Sequence, residues 1–171
     1  MLTEPREVFV HLLSEARQNN EKATDIYQEL SQLAQEHPQI KELLEARAFL
    51  ALKTREHLDH CFKLIGERPV AVAARHHEVF LEELRKHLAE IKSPVARHHF
   101  ILAKLAHFNH IRIGEYEALL AADVTGQHGV GVLLEGAKAA RVAFAERTRH
   151  LARRLAEARV IERKIAAERA A

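Results

Sequence analysis

The stretch FNHIRIGEY, residues 108–116, lies in the middle of a long helical pattern that begins at Pro94. Apolar residues three and four positions apart define one face of this helix: Leu102, Leu105, Tyr116 and Leu119. Asn109 and Arg112 fall on the same face, where a core-facing stripe normally carries apolar side chains. Two polar groups about one turn apart in such a stripe indicate a buried site, or the remains of one.

The rest of the sequence has the composition of a helical protein. Of its 171 residues, 47% are hydrophobic and 29% are charged, and there are only six Gly and four Pro. This length suffices for one domain with a substantial core. We therefore expect an all-α fold in a single domain, residues 1–171, of which about 156–171 form a C-terminal helical extension.

Proline, glycine and capping residues divide the chain into four long helices and a shorter one. Thr3 and Ser93 are the predicted N-caps of the first and third long helices, and Gly66 ends the second. The predicted ranges are about 5–36 for helix A, 38–65 for helix B, 72–91 for the shorter helix, 94–124 for helix C and 130–169 for helix D. A shorter crossover helix between helices B and C is typical of a four-helix bundle with one long connection.

Charge and aromatic content argue against several classes of function. Residues 1–60 hold eleven acids and seven bases, whereas residues 138–171 hold ten bases and four acids. A basic tail can attract an acidic partner, but a solvated helix face is the simpler interpretation. Because aromatic residues are few and Trp is absent, we expect no stacking platform for nucleic acid.

The sequence also predicts a protein of the cytoplasm. The first residues, MLTEPRE, are polar, so we expect no signal peptide, and no apolar run approaches the roughly 20 residues of a membrane span. Cys61 is the only cysteine, which excludes an internal disulfide, and its apolar stripe predicts a small buried side chain. A nucleophilic pair of Cys61 with His57 lacks a third group to orient the base.

Several short stretches resemble the YciF-like family of ferritin-like bacterial stress proteins over about residues 5–155. They are IYQELSQLA at 26–34, HLDHCFKLIGERP at 57–69, His110 and Tyr116 in helix C, and Leu133-Leu134 at the start of helix D. The resemblance implies a ferritin-like four-helix bundle with an additional crossover helix between the second and third long helices. It also implies a bacterial homodimer connected with stress.

The resemblance further implies where a metal site would lie. Such proteins hold two iron or manganese ions through inward carboxylates, with His or Gln, from all four long helices. Carried over residue by residue, the former ligand positions fall at Ala23, Leu50, Thr54, Asn109, Arg112, Ala140 and Arg141. None of these positions holds a carboxylate, and a guanidinium there repels a dication. We therefore expect no metal, no other cofactor and no catalytic residue.

A polar network is the expected replacement for the metal site. A buried guanidinium needs a charged and hydrogen-bonded partner, so we expect Arg112 to reach Glu21, Glu56 or Glu115, or to extend to the bundle edge. The sequence leaves open whether Arg112 and Arg141 approach each other. If they do, an anion or a carboxylate must lie between them.

An alternative metal site rests on the histidines, of which the chain has thirteen. Its candidate ligands are Glu56, His57, His60, His107 and His110, which could bind zinc, iron or manganese if helices B and C brought them together. The sequence thus predicts a non-catalytic ferritin-like bundle that acts through self-association or a protein partner. The alternative is a metal-binding oxidoreductase or metal-storage protein with a relocated His-rich site.

Overall fold

The computed structural model describes residues 2–73 and 75–170, which form five α-helices and no strand. The helices are α1 (Pro5–Leu33), α2 (Pro38–Ile65), α3 (Arg75–Glu90), α4 (Pro94–Ala122) and α5 (His128–Ala170). The predicted all-α fold and its crossover helix are confirmed. Helices α1 and α4 end slightly earlier than predicted, and α3 begins at Arg75 rather than near Val72. Ala74, and Ala171 at the end of the predicted extension, lie outside the described residues.

The helix ends follow from local chemistry. The N-cap of α1 is Glu4, not the predicted Thr3, because the Glu7 carboxylate accepts from the Glu4 backbone N–H at 3.2 Å. Ser93 caps α4 as predicted and accepts from the Ala96 backbone N–H at 3.4 Å. Gly66 ends α2 with a φ of 70°, in the left-handed region that favours glycine.

The four long helices surround one core. Helix α1 packs beside α2 and α4, and α5 packs beside α4 and α2. Short connections join α1 to α2 and α4 to α5, which makes each pair antiparallel. Helix α3 contacts α1 and α4 from outside the bundle, as expected of a crossover element.

Apolar side chains fill the two ends of the bundle. At one end lies the Phe9 cluster, which includes Phe9, Leu13, Leu58, Cys61, Tyr116 and Leu134. At the other lies the Tyr27 cluster, which includes Tyr27, Leu30, Leu44, Phe108, Phe144 and Leu151. Between the two clusters, every long helix contributes buried polar residues, which we call the polar layer: Asn20, Thr54, Asn109, Arg112 and Arg141.

Candidate functional site

Three buried arginines distinguish the centre of this bundle. Arg47 from α2, Arg112 from α4 and Arg141 from α5 have exposed fractions of 0%, 0% and 1%. Each lies on the core-facing stripe of its own helix, so helical periodicity directs all three inward. We call these residues the arginine cluster.

Arg112 has the one carboxylate that the described residues bring to this cluster. Its Nη1 donates to Glu115 one turn along α4, and its Nη2 donates to Asn20 Oδ1 at 3.3 Å. Asn19 Nδ2 donates to the other oxygen of Glu115 at 2.8 Å. Of the three predicted carboxylate partners, Glu115 is therefore the correct one. Glu21 pairs instead with Arg55, and Glu56 with Lys53.

Arg141 shares a hydrogen-bond acceptor with Arg112. Its Nη2 donates to Asn20 Oδ1 at 2.7 Å and to the Tyr116 hydroxyl at 3.2 Å. Its guanidinium also lies over the Tyr116 ring, 4.7 Å from the ring centroid, in a cation–π contact. The two arginines thus approach each other, and the neutral amide oxygen of Asn20 lies between them.

Arg47 is held by aromatic rings. Its guanidinium carbon lies 5.5 Å from the centroids of both Tyr27 and Phe144. None of its three side-chain nitrogens has a hydrogen-bond partner among the residues that the structure describes. Burial, and then the Arg141 charge, lower the pKa of Arg47, but an arginine remains protonated in a protein.

The centre of the bundle therefore carries excess positive charge. Within the described part of the chain, the Arg112 and Arg141 charges act on one carboxylate, Glu115, and the charges of both arginines also act on Arg47. Burial raises the pKa of the Glu115 carboxyl against the opposing effect of Arg112. Several buried donors also lack partners there: the Arg47 nitrogens, Arg112 Nε, Arg141 Nε and Nη1, and Asn109 Nδ2. Buried polar groups are normally satisfied, so this set is unusual and indicates a site for an anion or for ordered water.

The proposed former ligand positions occupy different environments. Ala23, Thr54, Asn109, Arg112 and Arg141 are buried. Leu50 is 37% exposed, because the interior stripe of α2 passes through Arg47, Ala51 and Thr54, and Ala140 is also partly exposed. Their assignment as former ligands remains a prediction.

A dimetal centre does not fit these side chains. Two such ions need several carboxylates, whereas the polar layer holds amides, a hydroxyl and guanidinium groups around Glu115. Three buried cations oppose the approach of a dication by Coulomb repulsion. We therefore assign no metal chemistry to this layer.

The histidine-based alternative is not assembled either. Glu56, His57, His60, His107 and His110 are all exposed. In residues 2–73 and 75–170, no three His, Cys, Asp or Glu side chains are grouped to hold a metal ion. The alternative site required helices B and C to bring these ligands together, and the structure does not group them within the described residues.

Cys61 behaves as the predicted small buried side chain. It lies in the Phe9 cluster with 0% exposure. Burial, and then the charge of Asp123, raise the pKa of its thiol to about 12. Because the thiolate is the nucleophile, this environment disfavours covalent catalysis at Cys61.

Sequence reasoning missed two residues of the site. Arg47 lies on an otherwise apolar stripe of helix B, and this polar residue in an apolar stripe was the signal that could have identified it. Asn20 lies in the core of the bundle, where its Nδ2 donates to the Ala51 carbonyl oxygen.

The sequence from residue 4 to residue 161 matches the model of a family described as a domain of unknown function, DUF892. The chain belongs to the DUF892 family. The YciF-like resemblance is thereby confirmed, since the fold is also that of YciF, as the solved structures show. Comparison with curated proteins gives no match.

Two solved structures of bacterial proteins have the same fold. The Escherichia coli stress protein YciF is 17% identical, with a TM-score of 0.84, over 91% of this chain and 99% of that one. YcfI from Rhodopseudomonas palustris, proposed to be a structural protein, is 18% identical with a TM-score of 0.80. That match covers 86% of this chain and 94% of YcfI. Both likenesses establish the ferritin-like fold.

Across the described residues, no helix is both long enough and apolar enough to cross a bilayer.

Proposed function

We propose that this chain is a non-catalytic ferritin-like bundle protein of the bacterial cytoplasm that acts by self-association. Its fold is that of one protein described as a stress protein and another proposed to be structural, which supports a structural role connected with stress. The observation that carries the proposal is the end of α5, residues 156–169, which we call the α5 extension.

The α5 extension presents an apolar stripe to solvent. All its residues are exposed, and Val160, Ile161 and Ile165 have exposed fractions of 54%, 57% and 43%. Ile161 and Ile165 are four positions apart, so they share one helix face. A helix that projects an apolar stripe gains stability when a second helix covers that stripe.

The sequence of the extension is complementary to itself, which favours a second copy of this chain as the partner. If two copies pair antiparallel about Arg163, Ile161 of one faces Ile165 of the other. Arg163, at the centre of that register, points away from the apolar seam, because it lies two positions from both isoleucines. An isologous contact of this kind closes on itself and gives a dimer.

The arginine cluster supports the non-catalytic part of the proposal. The centre of the bundle, where ferritin-like proteins place a dimetal site, carries three buried arginines, of which Arg112 and Arg141 act on Glu115. Such a centre opposes dications, so the fold retains the bundle without the chemistry that metals supply.

Sedimentation equilibrium of the full chain tests the self-association. The monomer mass is 19.5 kDa, and we expect a species of about twice that mass. The double substitution Ile161→Glu and Ile165→Glu places carboxylates opposite one another, so the variant should sediment as a monomer. The matched control is Val132→Glu with Val142→Glu, which alters exposed valines of the same helix within the bundle and should leave the dimer intact.

A smaller change tests the same contact without adding charge. Ile165→Ala alone should weaken the dimer, because it removes apolar area from the seam. A wild-type chain that is monomeric at its highest soluble concentration would overturn the proposal, as would a dimer that survives both isoleucine substitutions.

A further inference from the structure

A cavity of about 690 Å³ lies between α2 and α5. Its apolar lining includes Leu43, Leu50, Ala140, Phe144 and Leu151. This volume falls within the usual range of small-molecule sites, which combine apolar walls with a few polar groups. The cavity is therefore large enough for a ligand with an apolar body.

Arg47 is the most deeply buried polar residue in the lining of this cavity. It lines the cavity and has less exposure than any other lining residue. Its three side-chain nitrogens have no hydrogen-bond partner within residues 2–73 and 75–170. A buried guanidinium without an acceptor is costly, and an entering anion would remove that cost.

Other residues of the arginine cluster strengthen the attraction for an anion. The charges of Arg141 and Arg112 both act on Arg47 and lower its pKa, after the larger effect of burial. Both carboxylate oxygens of Glu115 are already engaged, one by Arg112 and the other by Asn19. In a low-dielectric core this excess charge favours a negative group near Arg47.

We propose that this cavity binds a monocarboxylate with an apolar chain, such as a medium-chain fatty acid. The carboxylate would accept hydrogen bonds from the Arg47 guanidinium, whose planar donors match its two oxygens. The chain would lie against Leu43, Phe144 and Leu151.

The rim of the cavity favours a single negative charge over a doubly charged phosphate. Arg147 and Arg154 lie there and attract an anion, but Glu42 and Glu146 are also among the lining residues. The two rim carboxylates repel a dianion more strongly than a monoanion. Apolar walls likewise favour a ligand whose charge is confined to one end.

Isothermal titration calorimetry with octanoate tests the proposal. We expect octanoate to bind the wild-type chain. 1-Octanol lacks the charge, and acetate, chloride and inorganic phosphate lack the apolar chain, so each should bind at least about tenfold more weakly. Arg47→Met should weaken octanoate binding by about tenfold or more. The control Arg153→Met, at an exposed arginine of α5 outside the cavity, should bind octanoate as the wild type does.

A second substitution tests the apolar wall. Leu43→Gln, at a partly buried position of α2, should weaken octanoate binding while leaving helicity by circular dichroism unchanged. Equal binding of octanoate by wild type and Arg47→Met would overturn the proposal. Binding of phosphate or chloride in preference to octanoate would also overturn it and would assign the arginine cluster to an inorganic anion.

Discussion

The Phe9 cluster and the arginine cluster are buried to the same extent but are stabilised in opposite ways. Phe9, Leu13 and Leu58 have exposed fractions of 0–1%, and the burial of their apolar surface stabilises the folded chain. Arg47 and Arg112 have exposed fractions of 0%, yet Arg47 has no acceptor and Arg112 leaves its Nε unpartnered, within the described residues. The apolar end stabilises the bundle, whereas the arginine cluster makes it less stable than an apolar centre would.

The difference suggests that the arginine cluster is kept for binding rather than for stability. Replacing buried ion pairs by apolar residues is often neutral or stabilising, while removing one partner of such a pair is strongly destabilising. Selection for stability alone would therefore replace Arg47 by a residue such as Met or Leu. Its presence is consistent with the proposed carboxylate ligand. The comparison can be tested residue by residue.

The largest expected effect is at Glu115. Glu115→Gln removes the negative charge beside Arg112 and Arg141, so we expect the free energy of unfolding to fall by about 3 kcal/mol. This lies at the lower end of the usual range because the Glu115 side chain is 21% exposed. Urea unfolding measures the change. Glu117→Gln, at an exposed position of the same helix, should change stability by less than about 0.5 kcal/mol.

Equal stability of the Glu115 and Glu117 variants would show that Glu115 does not compensate the buried arginines. The proposed difference in stability between the Phe9 cluster and the arginine cluster would then be wrong at Glu115.

Arg47→Met should have the opposite sign. Because Arg47 has no hydrogen bond to lose in the described residues, we expect the free energy of unfolding to rise by about 2 kcal/mol. Methionine retains the unbranched stem and packs against Tyr27 and Phe144. Thermal and urea unfolding of this variant and of Arg153→Met provide the comparison, and the control should change little.

A less stable Arg47→Met chain would mean that the cation–π contacts of Arg47 outweigh its desolvation. A more stable chain that no longer binds octanoate would show that stability and binding compete at this position.

The smallest expected effect is a pH dependence from His77. Burial, and then the charges of Arg112 and Arg141, lower the pKa of this histidine from 6.5 to about 3. The unfolded chain therefore binds a proton below pH 6.5 that the folded chain does not, and stability falls with falling pH down to about pH 3. Between pH 6.5 and 5.5 the loss should be about 1 kcal/mol.

The change is measured by urea unfolding at several pH values in the wild type and in His77→Leu, which lacks this contribution. His76→Gln alters the exposed neighbouring histidine and should keep the wild-type dependence on pH. An identical pH slope in His77→Leu and wild type would show that the folded chain does not keep His77 neutral.

The elements of the fold could be predicted because their signals are local. Pro38, Pro94 and Gly66 mark helix boundaries, and apolar residues three and four apart mark the inward faces. Helix ends were less accurate: α1 ends at Leu33 rather than near residue 36, and α5 begins at His128 rather than near residue 130. Asn109 and Arg112 were located correctly because the stripe of α4 is strongly periodic.

The partners of the buried charges depend on contacts between distant segments. Periodicity places Arg112 inward, but only the packing of α1 against α4 brings Asn20 to it. On α2 a single residue of register separates exposed Leu50 from buried Ala51, so the inward positions of this helix depend on its packing.

The amino-acid sequence alone was sufficient for the all-α class and the crossover helix, which depend on residue type and on spacing within one helix. It also showed that no carboxylate occupies the positions matched to the family's metal ligands. The approach of Arg112 and Arg141 to Asn20, the separation of the histidines and the cavity that Arg47 lines arise from how four helices pack. Side chains far apart in the chain acquire their electrostatic environment only when that packing is complete.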